Sequence, residues 1–316
     1  MKVCRICGNS AANKTHVARE MMFGLREPFT YLECGRCGCL QLLEIPPDLA
    51  KYYPEDQYYS YQRHGRIMEA IRHRFSAYAY GRWTVLGWLA TEYFGVNAAM
   101  RAVRQLGPPL EARILDVGCG SGKLLLDLQF LGFQRLTGAD PFLAADLAYE
   151  NGPKVLKREL SQMEGEYDLI MLHHCFEHMD RPAEIMRQLA RLLSKQGTVL
   201  MRIPVADSYG WRHYGVHWIH LDAPRHLYLH TTASIELLAR LAGLRIAEAI
   251  QDGYHGTFWG SEAYAQDIPI MDPRFPLSTP LKKILGWRMV RRYQARAEEL
   301  NLRQEADWRC FHLRKS

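Results

Sequence analysis

The sequence predicts an α/β fold with a doubly wound, mostly parallel sheet, preceded by a cysteine-rich ribbon and a helical segment. From residue 113 onward, short apolar runs alternate with amphipathic helical stretches, which is the pattern of parallel strands connected by helices. Two Cys-x-x-Cys pairs stand near the N-terminus, before this alternation begins. The 316 residues are 48% hydrophobic and 23% charged, which is an ordinary globular composition. We expect a zinc ribbon over 1–45, a linker and helical lid over 46–110, and the α/β domain over 111–316, with an insertion at about 253–306.

The N-terminal cysteines predict a structural zinc site. Five of the eight cysteines lie within the first 39 residues, and four of them form the pairs in "CRICG" and "CGRCG", separated by 26 residues. Two such turns can aim four thiolates at one tetrahedral zinc ion, and a site with four cysteine ligands leaves no position open for substrate. We therefore expect a structural zinc, which stabilises a ribbon too small to build its own core. Its predicted ligands are Cys4, Cys7, Cys34 and Cys37.

A glycine-rich turn after the first strand of the alternating region indicates the ligand. In "ILDVGCGSGKLLLDL", Gly118, Gly120 and Gly122 let the backbone approach a ligand at the N-terminus of the next helix. A dinucleotide site would place its third glycine one residue later, and the carboxylate of Asp116 would repel a pyrophosphate. Asp140 ends the second strand, where a carboxylate can accept hydrogen bonds from ribose hydroxyls. A cationic ligand with a ribose and no phosphate suggests S-adenosylmethionine.

Four segments resemble, in order and spacing, the motifs of class I S-adenosylmethionine-dependent methyltransferases: "LDVGCGSG", "GADPF", "YDLIMLHHCFEHMDRP" and "LLSKQGTVLMRIP". The resemblance covers roughly residues 111–313 and implies a seven-stranded Rossmann-like sheet whose last strand is antiparallel. It also implies that Asp116 and the glycine turn hold the methionine part of the cofactor and that Asp140 holds the ribose. Glu159 would flank the adenine, and we expect His173 to border the cofactor as well.

The N-terminal segment carries a narrower resemblance. "CRICG" followed by "YLECGRCGCLQLLEIPPDLAKYYPEDQYYSY" is similar to the start of C-methyltransferases of nucleotide-linked deoxysugars and of related methyltransferases from polysaccharide clusters. In the sugar enzymes, the last histidine of a His-Glu-His triplet after the fifth strand accepts a proton, and another histidine follows the fourth strand. His226 and His178 match these positions, and His174 is a further catalytic candidate. Arg225 replaces the glutamate of the triplet.

The segment "HHCFEH" also resembles the Glu-x-x-Glu-His motif with which ubiquinone-pathway O-methyltransferases bind magnesium. Glu177 and His178 match this motif, but His174 stands at the position of its first glutamate. Loss of a hard oxygen ligand weakens a magnesium site. A second metal is therefore left out of the predicted cofactors, which are S-adenosylmethionine and zinc.

We expect an enzyme that transfers a methyl group to a small-molecule acceptor, with a histidine as general base. Such an enzyme mainly aligns acceptor, methyl and sulfur, and it removes a proton where the acceptor carries one. Histidine is suited to that step near neutral pH. A sugar or a nucleotide- or lipid-linked glycan precursor is the expected acceptor, with Arg212 and Arg225 available for its phosphates. No signal peptide or long apolar span is evident, so a cytoplasmic location is expected.

Two other functions remain open. An RNA methyltransferase would bind RNA through the ribbon and the basic helices, but the formal charge of only +6 makes nucleic acid the less favoured partner. A non-catalytic scaffold that binds S-adenosylmethionine is disfavoured by the intact glycines and acidic residues. Peripheral contact between the basic helices and an anionic membrane is also possible. The oligomeric state and the acceptor atom are not predicted.

Overall fold

A computed structural model of the chain describes residues 3–53, 66–83, 85–88, 97–275 and 286–316. Within these residues the chain forms an eight-stranded sheet, a separate four-stranded sheet and the helices that pack on them. This arrangement is the α/β fold that the sequence predicts.

The described strands and helices follow one another along the chain as two series. The strands are β1 (Lys14–Arg19), β2 (Pro28–Glu33), β3 (Leu40–Leu42), β4 (Arg113–Val117), β5 (Arg135–Ala139), β6 (Leu147–Ala148), β7 (Lys154–Leu156), β8 (Tyr167–His173), β9 (Leu193–Pro204), β10 (Tyr228–Leu229), β11 (Leu244–Gln251) and β12 (Trp308–Lys315). The helices are α1 (Arg66–Ala79), α2 (Ala98–Leu106), α3 (Lys123–Phe130), α4 (Pro182–Leu192), α5 (Tyr209–Tyr214), α6 (Thr232–Leu241), α7 (Gly256–Ala265) and α8 (Trp287–Leu302).

The eight-stranded sheet contains every strand predicted in the alternating region. Its order is β11-β12-β9-β8-β4-β5-β7-β6. β4 pairs in parallel with β5 and β8, whereas β12 runs antiparallel between β9 and β11. The expected seven strands with an antiparallel last strand are therefore present, and the two-residue β6 adds an eighth strand at the edge.

Both faces of this sheet are buried under helices, as the apolar strands predict. Successive residues of a strand point to opposite faces, and in β4 Ile114 belongs to one apolar cluster while Leu115 belongs to the other. Residues from α1, α2 and α3 complete the cluster around Ile114. Residues from α4 and α6 complete the cluster around Leu115. The carboxyl ends of the central strands are thereby fixed between two packed layers.

The amphipathic stretch "RPAEIMRQLARLLSKQG" predicts a helix that is stopped by its final glycine, but the observed helix is shorter. The sequence places its end at Gly197, but α4 ends at Leu192 and β9 begins at Leu193. Leu193 pairs with Tyr167 at the start of β8. Pairing with the neighbouring strand therefore replaces the last predicted turn of the helix.

The four-stranded sheet joins the N-terminal ribbon to a distant part of the chain. Its order is β1-β2-β3-β10. β10 pairs antiparallel with β3, with Tyr228 opposite Gln41 and Leu229 opposite Leu40. The sequence does not predict this pairing, because a two-residue strand has no periodic signal.

The helical segment before the large sheet packs on α3. The carboxylate of Asp127 in α3 lies 2.7 Å from Nδ1 of His73 and accepts a 2.8 Å hydrogen bond from the hydroxyl of Ser76. α1 therefore packs on the helical layer that covers this face of the sheet. Trp83 and Trp88 are 72% and 44% exposed, and membrane contact by this region stays a prediction. Among the described helices, none has the length and apolar character needed to span a membrane.

Candidate functional site

The glycine-rich turn between β4 and α3 has the conformation expected of a ligand-binding loop. Gly118, Gly120 and Gly122 have φ angles of 71°, 51° and 73°, which lie in the region where a side chain causes strain. A Cβ atom at Gly118 would lie 2.8 Å from Cβ of Cys175, and one at Gly122 would lie 2.7 Å from a methyl group of Val155. The turn therefore requires glycine at both positions and packs directly on the segment that follows β8.

Asp140 follows β5 and closes the glycine turn from the neighbouring strand. One of its carboxylate oxygens accepts the backbone N–H of Gly120 at 2.9 Å, and the other accepts that of Phe142 at 2.9 Å. Each carboxylate oxygen has two acceptor positions. Both oxygens therefore keep one position for a ribose hydroxyl while they hold the turn in place.

Asp116 lies at the end of β4, directly before the turn. Its side chain is 4% exposed and accepts no hydrogen bond from the residues that the structure describes. Burial and the nearby Asp140 carboxylate raise the pKa of Asp116 to about 8. A cation beside this carboxyl would favour its ionised form. The arrangement fits the positively charged methionine end of S-adenosylmethionine, with the ribose at Asp140.

Two further residues predicted to contact the cofactor lie at or after the ends of β7 and β8. Glu159 is exposed and caps the short helical turn Leu160–Gln162, which follows β7. His173 ends β8, and neither of its ring nitrogens has a hydrogen-bond partner within the described part of the chain. Burial lowers the pKa of His173 to about 3, so the ring is neutral. Contact of Glu159 and His173 with the cofactor stays a prediction.

Two predicted catalytic histidines lie together beyond the sheet. The rings of His178, after β8, and His226, before β10, are in edge contact with their centroids 4.7 Å apart. Nδ1 of His178 donates to the carbonyl of Arg225 at 2.8 Å, and Nδ1 of His226 donates to the carbonyl of His220 at 2.7 Å. Because the proton of each neutral ring is held on Nδ1, Nε2 carries the lone pair. Both rings can therefore accept a proton at Nε2.

Two carboxyl groups flank Nε2 of His226. Oε1 of Glu177 lies 4.0 Å away and Oδ2 of Asp222 lies 3.9 Å away. Burial raises the pKa of Glu177 to about 8. Burial alone would raise the pKa of Asp222 as well, but the charge and hydrogen bonds of Arg225 lower it to about 2. Asp222 is therefore the ionised carboxylate that can stabilise a protonated His226.

His174, the third catalytic candidate, is held differently. A guanidinium N–H of Arg202 bonds Nε2 of His174, and the ring of Trp308 contacts the imidazole at a centroid distance of 4.2 Å. Desolvation of the ring and the charge of Arg202 lower the pKa of His174 well below its usual value, although the residue as a whole keeps an exposed surface. Since its Nε2 is already bonded to a cation, His174 is less available as a base than His226 or His178.

The four predicted zinc ligands converge as expected. Sγ of Cys4 lies 3.7 Å from that of Cys37, Sγ of Cys7 lies 3.5 Å from that of Cys34, and all four atoms lie within 4.8 Å of one another. A tetrahedral zinc with Zn–S distances of about 2.3 Å requires sulfur atoms about 3.8 Å apart. A hydrogen bond from the Cys37 thiol lowers the pKa of Cys4 to about 5, which favours the thiolate. The cysteines therefore fit a structural zinc ion.

A model of the methyltransferase domain family matches residues 91–249, half of the chain. The chain belongs to this family. The matched range contains the glycine turn, Asp116 and Asp140, which the sequence assigns to the cofactor. The predicted enzyme class, an S-adenosylmethionine-dependent methyltransferase, is confirmed, as is the fold class.

Curated relatives of this methyltransferase match only part of it. The ubiquinone biosynthesis O-methyltransferase of Dechloromonas aromatica (strain RCB) is 35% identical over 100 residues, which cover 28% of this chain and 43% of that protein. The protein of the same name from Yersinia pestis (strain Pestoides F) is 29% identical over 120 residues, which cover 34% and 49%. The chain therefore spans less than half the length of these relatives.

Solved methyltransferase structures resemble the chain weakly. Coclaurine N-methyltransferase bound to N-methylheliamine and S-adenosylhomocysteine is 13% identical, with a TM-score of 0.45 and coverage of 86% of this chain and 80% of that one. The O-methyltransferase of a trans-AT polyketide multienzyme from Brevibacillus brevis is 19% identical, with a TM-score of 0.43 and coverage of 69% and 71%. Likeness at this level assigns neither an acceptor nor a site residue.

The arginines that the sequence offers for substrate phosphates are already paired in the methyltransferase. Arg225 is 1% exposed, and its guanidinium bonds Asp222 and lies 3.3 Å from Glu20. Arg212 is exposed and bonds Glu305 at 2.6 Å. The expectation that Arg225 binds phosphate is wrong, because the guanidinium is buried and neutralised by two carboxylates.

The cluster around His178 and His226 also has the donor set of a metal site. Glu177, His178 and His226 each offer a ligand atom within 4.8 Å of the others, and both carboxylate oxygens of Glu177 are buried without a hydrogen-bond partner among described residues. His174 lies outside this group. The three side chains could therefore share either a proton or a cation.

Several residues that build the site carry at most a weak sequence signal. Tyr31 donates to the carbonyl of His226 at 2.8 Å, and Tyr53 contacts Nδ1 of His178 at 3.2 Å. Glu20 and Asp222 hold Arg225 from two sides. The tyrosine-rich stretch around Tyr53 and the replacement of glutamate by Arg225 are the only hints in the sequence.

Proposed function

We propose that this methyltransferase moves a methyl group from S-adenosylmethionine to a small-molecule acceptor whose proton is taken by His226. The observation that supports this role best is the geometry of His226. Its Nδ1–H is held by a backbone carbonyl, and its Nε2 lies 3.9 Å from the ionised Asp222 carboxylate. A ring held in this way has one tautomer and one direction in which it can accept a proton.

The bound cofactor supplies a methyl group already activated on a sulfonium, so the chain must position reactants and manage one proton. Burial, followed by the neighbouring His178, lowers the pKa of His226 to about 3, which keeps the ring neutral before reaction. When Nε2 accepts the acceptor proton, the nearby Asp222 carboxylate stabilises the new positive charge. His226 is therefore neutral before reaction, and the charge of Asp222 is what raises its proton affinity against the effect of burial.

The cofactor turn and the histidines lie on adjoining segments, which this mechanism needs. Gly118 of the turn lies against Cys175, three residues before His178. His178 in turn contacts His226. Ligands of parallel α/β sheets bind at the carboxyl ends of the strands, and both segments follow such ends.

A sugar or a nucleotide- or lipid-linked glycan precursor is the acceptor that we propose. The support is the resemblance of the cysteine ribbon and of the positions of His178 and His226 to enzymes that methylate nucleotide-linked sugars. Oxygen acceptors belong in the same test, because the curated relatives are named O-methyltransferases. We also propose that Cys4, Cys7, Cys34 and Cys37 bind one structural zinc.

The test is methyl transfer from radiolabelled S-adenosylmethionine to a panel of nucleotide-linked sugars, lipid-linked sugars and phenols. We expect the variant His226→Ala to lose at least about 100-fold in kcat, as removal of a general base does, while S-adenosylhomocysteine binds within twofold of the wild-type affinity. His217→Ala is the matched control, because His217 lies in the same segment but is exposed. An active acceptor with an unchanged rate for His226→Ala would contradict the base assignment.

A further inference from the structure

The segment that carries His226 is attached to the zinc ribbon along most of its length. Tyr228 and Leu229 pair with Gln41 and Leu40 of β3. The carbonyl of Leu227 accepts the backbone N–H of Leu42 at 2.9 Å, which extends the ladder by one residue toward His226. The loop that holds the proposed base is thus continuous with a ribbon strand.

Three side-chain contacts flank this ladder, some before and some after it in sequence. The hydroxyl of Tyr31, a fully buried β2 residue, donates to the carbonyl of His226 itself at 2.8 Å. The hydroxyl of Thr231 donates to the carbonyl of the zinc ligand Cys37 at 2.5 Å. Glu20, at 0% exposure after β1, faces the guanidinium of Arg225 at 3.3 Å. The ribbon therefore holds residues both before and after His226.

The cysteine cluster fixes the ribbon strand that makes these contacts. β3 begins three residues after Cys37, and the turn around Cys34 and Cys37 is closed by backbone N–H groups of Arg36 and Cys37 on Sγ of Cys34, both at 3.4 Å. A small ribbon depends on its metal for its fold. Release of the metal would free β3, and β10 would then lose the strand with which it pairs.

We propose that the zinc ribbon is a positioning element for the acceptor side of the site, which fixes the segment 222–231 and thereby the direction of Nε2 of His226. Tyr31 and Glu20 are its positioning residues, and their described hydrogen bonds and ion pairs go to the segment 222–231 and to the ribbon itself. The proposal deepens the proposed function, because the position of His226 matters for catalysis only if His226 acts on the acceptor. It predicts that loss of zinc disorders the acceptor side while the glycine turn keeps its shape.

The test compares the full chain with zinc, after removal of zinc by a chelator, and after zinc is restored, using hydrogen exchange and nitrogen NMR of ¹⁵N-histidine-labelled protein. We expect peptides that cover 222–231 to exchange at least about tenfold faster without zinc, and peptides that cover β4 and the glycine turn to change less than twofold. The separate Nδ1 and Nε2 signals of His226, assigned with His226→Ala, should merge toward their average as the fixed tautomer is lost. Restored zinc should restore both observations.

The variant Tyr31→Phe removes one contact without touching the metal. Loss of a single buried hydrogen bond should speed exchange at 222–231 roughly fivefold and shift the His226 signals. Glu33→Gln is the matched control on the same strand, because Glu33 pairs with His16 inside the ribbon, and it should leave both readouts unchanged.

Zinc-free protein with an unaltered 222–231 segment would overturn the proposal. Loss of S-adenosylhomocysteine binding together with exchange across β4 would overturn it as well, because the ribbon would then support the whole fold. Neither readout requires turnover, so failure of the base assignment is seen separately in the His226→Ala rates.

Discussion

The cofactor end of the site comes from one continuous stretch, β4 to α3, with one carboxylate from the next strand. The acceptor side is assembled from the ribbon, the segment after β8 and the loop before β10. At the cofactor end, Asp140 bonds the backbone of Gly120 directly. At the acceptor side, His226 is held through backbone carbonyls by residues as distant in sequence as Tyr31.

This difference makes the two ends of the proposed site structurally separate. A turn whose glycines are fixed by close packing tolerates little variation, because a Cβ atom added at Gly118 would lie only 2.8 Å from Cβ of Cys175. A loop held by a separate sheet can be repositioned by changes in the ribbon without disturbing that turn. The two regions should therefore respond independently to substitution.

The largest expected effect is on the buried ion pair between the ribbon and the segment that carries His226. Glu20→Ala would leave the guanidinium of Arg225 with one carboxylate. It would also remove the acceptor of three backbone N–H groups, each of which donates to Glu20 at 2.9 Å. Breaking a buried pair costs about 3–5 kcal/mol, so we expect a loss of that size in the free energy of unfolding by urea. Glu33→Ala, in a partly exposed pair with His16, should cost at most about 1 kcal/mol. Equal effects of the two substitutions would show that the Glu20–Arg225 contact does not join the two regions.

The second-largest expected effect is a loss of cofactor affinity at the cofactor end of the site. Asp140→Ala removes the acceptor of the Gly120 N–H and both positions for ribose hydroxyls. Even at the low end of about 1.5 kcal/mol for each hydrogen bond to a charged group, the loss of two corresponds to about 3 kcal/mol, so we expect at least about 100-fold weaker binding of S-adenosylhomocysteine by calorimetry. Hydrogen exchange at 222–231 should stay unchanged in this variant. Binding within threefold of wild type would place the ribose elsewhere.

The smallest effect is a pH dependence at Asp116. Because burial and Asp140 raise the pKa of Asp116 to about 8 in the free protein, this carboxyl is mostly protonated at pH 7. A bound cation favours the ionised form, so binding releases a proton and affinity rises with pH, by up to about tenfold per pH unit below pH 8. Calorimetry with S-adenosylmethionine between pH 6 and 7.5, in buffers of different ionisation enthalpy, measures this release. Asp116→Asn should abolish the part of the release that comes from this carboxyl, and an identical proton release in wild type and variant would contradict the assignment.

The conformation of the glycine turn can be predicted from the sequence because the turn is local. The spacing of Gly118, Gly120 and Gly122, and the positions of Asp116 and Asp140 at strand ends, follow from one pattern of strand, turn and helix. The cysteine pairs are equally local, and their sulfur atoms do converge.

The acceptor side is harder to predict from the sequence because it depends on pairing between distant segments. Resemblance identifies His226 and His178, but not Asp222, which is the ionised carboxylate nearest to Nε2 of His226. The sequence also assigns Arg225 to a phosphate, whereas its side chain is buried between Asp222 and Glu20. These contacts exist only once β10 has joined β3.

A crystal structure of the full chain grown with zinc and S-adenosylhomocysteine tests the central claim most directly. We predict the ribose hydroxyls on Asp140, the amino group near Asp116, and the sulfur on the side of the glycine turn that faces His226, with one zinc bound by the four ribbon cysteines. S-adenosylhomocysteine bound away from the glycine turn, or with its sulfur turned away from Nε2 of His226, would contradict this prediction.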